Sequence, residues 1–346
     1  MLKLGVIGTN WISDQFVQAA IESGQYQLTA VYSRKEETAR KFGEKYGEAV
    51  TYWTNLEQFL TAADLTVVYI ASPNSLHYPQ AKAAILKGHH VIVEKPAFSN
   101  PTEMADIITC ANEKRVFYFE AARNLHEKAF DTIADFLPVK DHILGANFTY
   151  MKYSSRYDAV LNGEEPNIFS PHFSGGSLQD LGIYPLYAAL GWFGMPNEVH
   201  YFARRIDTGV DGLGTIILRY DLFDVTIQQG KIADSFLPSE IYLEDGTLIL
   251  SGINAFEFAE YYDRGSGSRK ELPIVIQDNP MVEEAEAFAK IIRHPSDREL
   301  GVQYEEWVEL SRNVNEVIYR LRKQAGVVFD ADLDQSTENE EKHESI

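Results

Sequence analysis

Cysteine is almost missing from this chain: Cys110 stands alone among 346 residues. A single thiol excludes an intramolecular disulfide and any cysteine-rich zinc site. Cations are scarce beside anions, with 31 Lys and Arg against 51 Asp and Glu and a formal net charge of −20. So acidic a chain has no broad electrostatic reason to bind nucleic acid or an anionic membrane. No apolar run reaches the ~18 residues of a membrane span. The start of the chain lacks the charged region, long apolar region and small-residue cleavage site of a secretory signal. With one cysteine, these absences make the cytoplasm the expected compartment. The nine histidines show no ligand spacing such as H-x-x-x-H beside an acid, so no metal site is expected.

What is present is globular: 45% hydrophobic, 24% charged and 12% aromatic residues. The length suits about two domains. Over the first 120 residues, apolar strand-like runs at 2–7, 26–32, 65–70, 91–93 and 115–119 alternate with helical stretches at 12–23, 36–46, 77–87 and 101–113. Continuous apolar strands between helices imply a doubly wound α/β domain with a parallel sheet. The texture changes near residue 121. Runs at 214–220 and 225–231 flank a short turn, and runs at 239–243 and 247–251 flank Glu244-Asp245-Gly246, a hairpin signal. Two amphipathic helices, 281–294 and 303–324, follow. The expected division is residues 1–121, 122–329 and an acidic tail, 330–346, with seven acidic residues against Lys342. Such a tail is expected to be solvated and disordered.

Five segments carry possible chemistry. Gly8-Thr9-Asn10-Trp11-Ile12-Ser13 stands where a dinucleotide fingerprint G-x-G-x-x-G/A would stand. Only its first glycine is kept. Asn10 can tolerate the positive φ of a tight turn, and Ser13 is small enough for close helix packing. The helix start could hold a pyrophosphate, or this is an ordinary strand-to-helix turn. Ser33-Arg34-Lys35 ends the second strand with a hydroxyl and two cations where a free 2′-hydroxyl would meet an acid. Guanidinium matches a 2′-phosphate, but a basic helix start reads the same way.

Ala71-Ser72-Pro73-Asn74-Ser75-Leu76-His77 opens a helix at the carboxyl edge of the sheet. Asn74 can bond a ring or ribose, and His77 either lines that crevice or packs beneath it. Val93-Glu94-Lys95-Pro96 lies at the same edge. Pro96 holds Lys95 extended, with a trans bond the expectation for the Lys95–Pro96 peptide. Lys95 can stabilise a developing alkoxide, or Glu94 and Lys95 form a plain surface pair. Finally, Asp180 and Tyr184 follow Gly175-Gly176 and are four apart, so a helix puts them on one face. They can orient a substrate hydroxyl and move its proton, the glycines letting the chain pass close to a ligand. A capped core helix is the alternative.

Taken together, Gly8 to Ser13, Ser33-Arg34, Ser72 to His77, Glu94-Lys95-Pro96 and Gly175 to Tyr184 resemble the glucose–fructose oxidoreductase / inositol dehydrogenase / MocA family, over nearly the whole chain to about residue 330. The resemblance implies an α/β Rossmann dinucleotide-binding domain plus an α+β domain with an open-faced, mostly antiparallel sheet. It implies a nicotinamide cofactor held by Gly8, Thr9, Asn10, Trp11, Ile12, Ser33, Arg34, Ser72, Pro73, Asn74, His77, Glu94 and Lys95. NADP(H) is favoured over NAD(H). Catalytic roles fall to Lys95, Asp180 and Tyr184. Many members carry histidine where this chain has Tyr184, which is more similar to the glucose–fructose oxidoreductase and dimeric dihydrodiol dehydrogenase branch. A family arginine is replaced by Leu125, which leaves the substrate role of Arg123, Asn124 and His126 open.

The implied reaction is hydride transfer between the cofactor and an alcohol carbon of a sugar, polyol or related small molecule. A phenol's ordinary pKa is near ~10, and an adjacent Lys95 ammonium would lower it. An NADP(H)-binding sensor without turnover is the alternative, and a cofactor-regenerating elimination on a sugar is a third reading. A homodimer or homotetramer is expected from the resemblance.

Overall fold

The computed structural model describes residues 1–333. It divides into two compact units: residues 1–121 with 277–312, and residues 122–276 with the chain from 313 onward.

The first unit holds six strands, β1 Leu2–Ile7, β2 Tyr26–Tyr32, β3 Thr51–Trp53, β4 Val67–Ile70, β5 His90–Glu94 and β6 Tyr118–Ala121. All pair in parallel, in the order β3-β2-β1-β4-β5-β6. Strand order reverses between β1 and β4, which is the doubly wound Rossmann arrangement. Alternate residues feed two cores. Leu4, Val6, Val67 and Tyr69 join one face, where Phe16 of helix Trp11–Glu22 stacks on Tyr69 at 3.9 Å. Ile7, Val68 and Ile70 join the other with Phe59, Ile85 and Ile107.

Helix Val282–Arg293 belongs to the first of these cores, not to the second domain expected from sequence. Its Ala285, Phe288 and Ile292 are buried there. Phe288 stacks on Phe119 at 4.6 Å, and the Tyr26 hydroxyl donates to the Ala285 carbonyl at 2.9 Å. Two strand readings also change. The three-residue β3 was missed, being too short to show a period. The last strand begins at Tyr118 because Arg115 takes a left-handed φ of 57° and ends the helix Pro101–Lys114.

The second unit carries an eight-stranded sheet. Its strands are β7 Ile143–Met151, β8 Glu198–Arg205, β9 Asp211–Arg219, β10 Asp224–Gly230, β11 Ser239–Leu243, β12 Gly246–Leu250, β13 Ala259–Asp263 and β14 Arg269–Glu271. They run in the order β14-β13-β12-β11-β7-β10-β9-β8, antiparallel throughout except for β7 beside β10. One face buries Phe148, Ile216, Leu218, Val225, Ile227, Ile241 and Leu248, and helix Ile183–Phe193 buries Leu186, Leu190 and Phe193. On β8 and β11, Phe202 and Tyr242 remain exposed.

The expected tail is ordered where it is described. Asp332 caps the Phe329 N–H at 2.9 Å and grips Arg322 with both oxygens, at 2.9 and 2.5 Å. The rest of that tail, 334–346, lies outside the described residues.

Candidate functional site

In the first unit the strand order reverses between β1 and β4, and the loops that follow these two strands meet. Gly8 has φ +103°, and a Cβ there would stand 2.6 Å from the Ala71 carbonyl oxygen. The fingerprint's first glycine is therefore required by close approach of two loops. Asn10 does not take the positive φ expected of it. Its φ is −86°, and it caps helix Trp11–Glu22, accepting the Ser13 N–H at 3.0 Å. Its amide also donates to the Ala71 carbonyl at 2.9 Å. One side chain thus caps the helix and ties the turn after β1 to the end of β4. Ser13 is fully buried, Thr9 and Ile12 are half-buried, and Trp11 is 75% exposed at the helix start. Ser33 continues the ladder, its N–H donating to the Trp53 carbonyl at 3.1 Å, and Arg34 is exposed.

His77 is 1% exposed, and its ring lies between two carbonyls, Ser72 at 2.8 Å from Nε2 and Pro96 at 3.1 Å from Nδ1. It braces the loop after β4 against the loop after β5. Burial lowers its pKa despite those two acceptors. Ser72 and Pro73 are half-buried, as is Asn74, which opens the short turn Asn74–Leu76. The Ser72 hydroxyl donates to Gln80 Oε1 at 2.7 Å.

Glu94 does not sit on the surface. It is buried and accepts the Tyr69 hydroxyl at 2.6 Å. The Lys95–Pro96 bond is cis, where sequence suggested trans. Just beyond it, the Ala97 N–H donates to Glu120 Oε1 at 2.9 Å, and Ser311 donates to the other oxygen. Glu120 thus anchors the loop bearing Lys95. Sequence reasoning missed this because no local pattern links residues 97, 120 and 311.

In the second unit, Asp180 lies in a π-helical turn, Leu178–Gly182, that runs directly into helix Ile183–Phe193. A single α-helix was expected. π-turns concentrate at functional sites. Asp180 pairs with Lys231, which is 7% exposed and directly follows β10. Lys231 escaped the sequence reading because it lies 51 residues away without a motif. Tyr184 packs edge-on against Tyr150, centroids 5.8 Å apart. The Asn124 amide, fully buried, donates to the Tyr184 carbonyl at 3.1 Å and the Ile253 carbonyl at 2.9 Å. Arg123 donates to the Asn254 carbonyl at 2.9 Å, and His126 is buried. Arg123 and Asn124 therefore hold backbone.

Gly175 and Gly176 have a local explanation too. A Cβ on Gly175 would lie 2.6 Å from the Ile168 carbonyl oxygen, and one on Gly176, at φ +123°, would strike the Asp211 carboxylate. The chain passes close to its own buried groups here, where a ligand had been expected. Among the described residues, no cluster of three or more His, Cys, Asp or Glu side chains could hold a metal, and no helix is long and apolar enough to cross a membrane.

A reversed parallel sheet, a glycine turn and a capped helix N-terminus define a Rossmann-type nucleotide-binding architecture. The chain matches the family described as "Oxidoreductase family, NAD-binding Rossmann fold" over residues 2–122 and the "GFO/IDH/MocA C-terminal domain" over residues 146–249. It belongs to the Gfo/Idh/MocA oxidoreductase family. It is 39% identical to the uncharacterized oxidoreductase YgjR of Escherichia coli (strain K12), and 36% identical to scyllo-inositol 2-dehydrogenase (NADP(+)) IolU of Bacillus subtilis (strain 168). Each match covers 96% of this chain and 99% of the relative. In fold it is similar to KijD10, a 3-ketoreductase from Actinomadura kijaniata, in complex with NADP and TDP-benzene. That likeness has a TM-score of 0.77 and 20% identity, and covers 93% of this chain and 97% of the other.

Proposed function

We propose that this chain is an NADP(H)-dependent oxidoreductase acting on a secondary alcohol of a sugar, polyol or related small molecule. The observation that carries the cofactor choice is the end of β2, which presents Ser33 and exposed Arg34 where a 2′-hydroxyl-binding acid would stand. The name of the relative IolU, a scyllo-inositol 2-dehydrogenase (NADP(+)), agrees. The residues fit the cofactor. The turn at Gly8 and the N-terminus of helix Trp11–Glu22 would take its pyrophosphate, and Arg34 its 2′-phosphate. When bound, the nicotinamide accepts or returns the hydride.

The protein supplies the proton chemistry. In the oxidation direction the Tyr184 phenolate, favoured by the Lys95 ammonium, takes the substrate hydroxyl's proton at Oη. The Lys95 ammonium stabilises the alkoxide character that develops on oxygen, and Asp180, held by Lys231, orients the hydroxyl. Asn10 is a working helix cap, so its presence in place of the second glycine no longer favours a sensor without turnover. The family resemblance also supports a homodimer or a pair of dimers.

The test is a panel of inositols, acyclic polyols and aldoses with NADP+, followed by nicotinamide absorbance. Turnover is expected with at least one member. Tyr184→Phe and Lys95→Met should each lower it by on the order of 100-fold or more, with NADPH affinity largely kept. Normal turnover in both variants would remove these roles. Tight NADPH binding without turnover on the whole panel would favour the sensor.

A further inference from the structure

The π-helical turn that carries Asp180 rests on a buried polar frame that belongs to no motif. Asp211, 3% exposed at the start of β9, accepts the Leu178 N–H at 2.7 Å and the Tyr201 hydroxyl at 2.7 Å. Gln229, fully buried on β10, donates to the Tyr201 hydroxyl at 2.6 Å and accepts the Ser177 hydroxyl. Two residues further on, Lys231 pairs with Asp180. Residues two apart on a strand face the same way, so one strand end reaches the turn twice, at Ser177 and at Asp180. Lys231 is itself fixed: its N–H donates to the Gly212 carbonyl at 2.8 Å, its carbonyl accepts the Ser154 N–H at 2.9 Å, and its Nζ sits 5.8 Å from the Phe169 ring centre.

A bare hydrophobic seat would hold this turn at lower cost. Burying a carboxylate and an ammonium demands that each be paired and hydrogen-bonded. The Lys231 ammonium is paired with Asp180, Asp211 is held by the Leu178 N–H and the Tyr201 hydroxyl, and Gly176 is kept free of a Cβ that would displace Asp211. Buried polar networks of this kind fix geometry more than they add stability.

We propose that Asp211 and Lys231 are positioning residues for the substrate-side carboxylate: Asp211 seats the first N–H of the π-turn, and Lys231 holds Asp180 in the orientation that meets the substrate hydroxyl. The role assigned to Asp180 rests on the function proposed above. The seating of the turn does not.

The experiment therefore has a readout that needs no substrate. Hydrogen–deuterium exchange over residues 176–184 is compared in the whole protein and in Lys231→Met, Lys231→Arg and Asp211→Asn. NADPH affinity and polyol kinetics are measured beside it. Faster exchange in that segment is expected for Lys231→Met and Asp211→Asn, with NADPH affinity within about twofold. Their kcat/KM should fall on the order of 10- to 100-fold, as misplacement of a reacting group costs. Lys231→Arg should restore most of both. Unchanged exchange in Lys231→Met and Asp211→Asn would overturn the proposal, and so would changed exchange with kcat/KM intact. Changed exchange in a protein that turns over no polyol would keep the seating and discard the proposed substrate class.

Discussion

His90 shows how much a single side chain can hold. It opens β5 next to the helix end at Gly88, and its Nδ1 accepts the Phe117 N–H at 2.9 Å while its ring stacks on Phe117 at 5.3 Å. That acceptor role requires the neutral ring with its proton on Nε2. Burial, with His89 beside it, pushes its pKa down to about 4 from the ordinary 6.5. The folded state therefore binds fewer protons than the unfolded chain between those values. The contribution is complete above pH about 6.5 and is lost as pH falls through about 4, worth at most about 3 kcal/mol. His90→Asn keeps an acceptor and removes the titration, so its thermal melting should decline less steeply than wild type between pH 6.5 and 4. Equal slopes would assign the acid sensitivity elsewhere. Nothing in the sequence marked His90, because its partner is a backbone N–H 27 residues away. Lys95, Asp180 and Tyr184 could be proposed from the sequence because each stands in a short motif at a strand or helix end. Lys231, Glu120 and Asp211 were not, because each acts across a gap in the chain that only folding closes.

At the scale of elements, long apolar strands and glycine-terminated helices could be read directly, since burial on both faces leaves continuous apolar runs. Short or half-open strands could not: β3 has three residues, and β8 alternates Val199 and Tyr201 with His200 and exposed Phe202. The turn after β1 was read in the right place with the wrong mechanics. Asn10 works as a cap and a cross-tie, so restoring the fingerprint with Asn10→Gly should not improve the fold. The variant loses the bond to Ala71 and most of the cap, and should be destabilised by about 1–2 kcal/mol. Thermal or denaturant melting in the presence and absence of NADPH checks this. A gain in stability, with unchanged cofactor affinity, would show the side chain to be dispensable.

For the whole molecule, the sequence suggested consecutive domains, yet the first unit is built from two stretches of chain. Residues 277–312 return to it, and the reason is the core that the first 121 residues leave uncovered. Phe288 meets Phe119, the Ala285 carbonyl takes the buried Tyr26 hydroxyl, Tyr304 accepts the Tyr118 N–H at 3.2 Å, and Ser311 closes on Glu120. Helix Arg298–Gln324 then continues into the second unit from Asn313, so neither unit is a contiguous piece of chain. Without the returning helices a fragment of residues 1–121 would expose the Phe119 and Tyr26 side of its sheet, leave the Tyr26 hydroxyl without the Ala285 carbonyl and take the Ser311 hydroxyl from Glu120, at about 1–3 kcal/mol for each polar group left buried and unsatisfied. Such a fragment, although it contains every proposed cofactor contact, should not melt cooperatively and should bind NADPH far more weakly than the full chain. Circular dichroism melting and NADPH fluorescence titration of the fragment beside the full chain decide it. A cooperative melt with full-chain affinity would make residues 277–312 an accessory to a self-sufficient nucleotide domain, and the cofactor site would then owe nothing to the end of the chain.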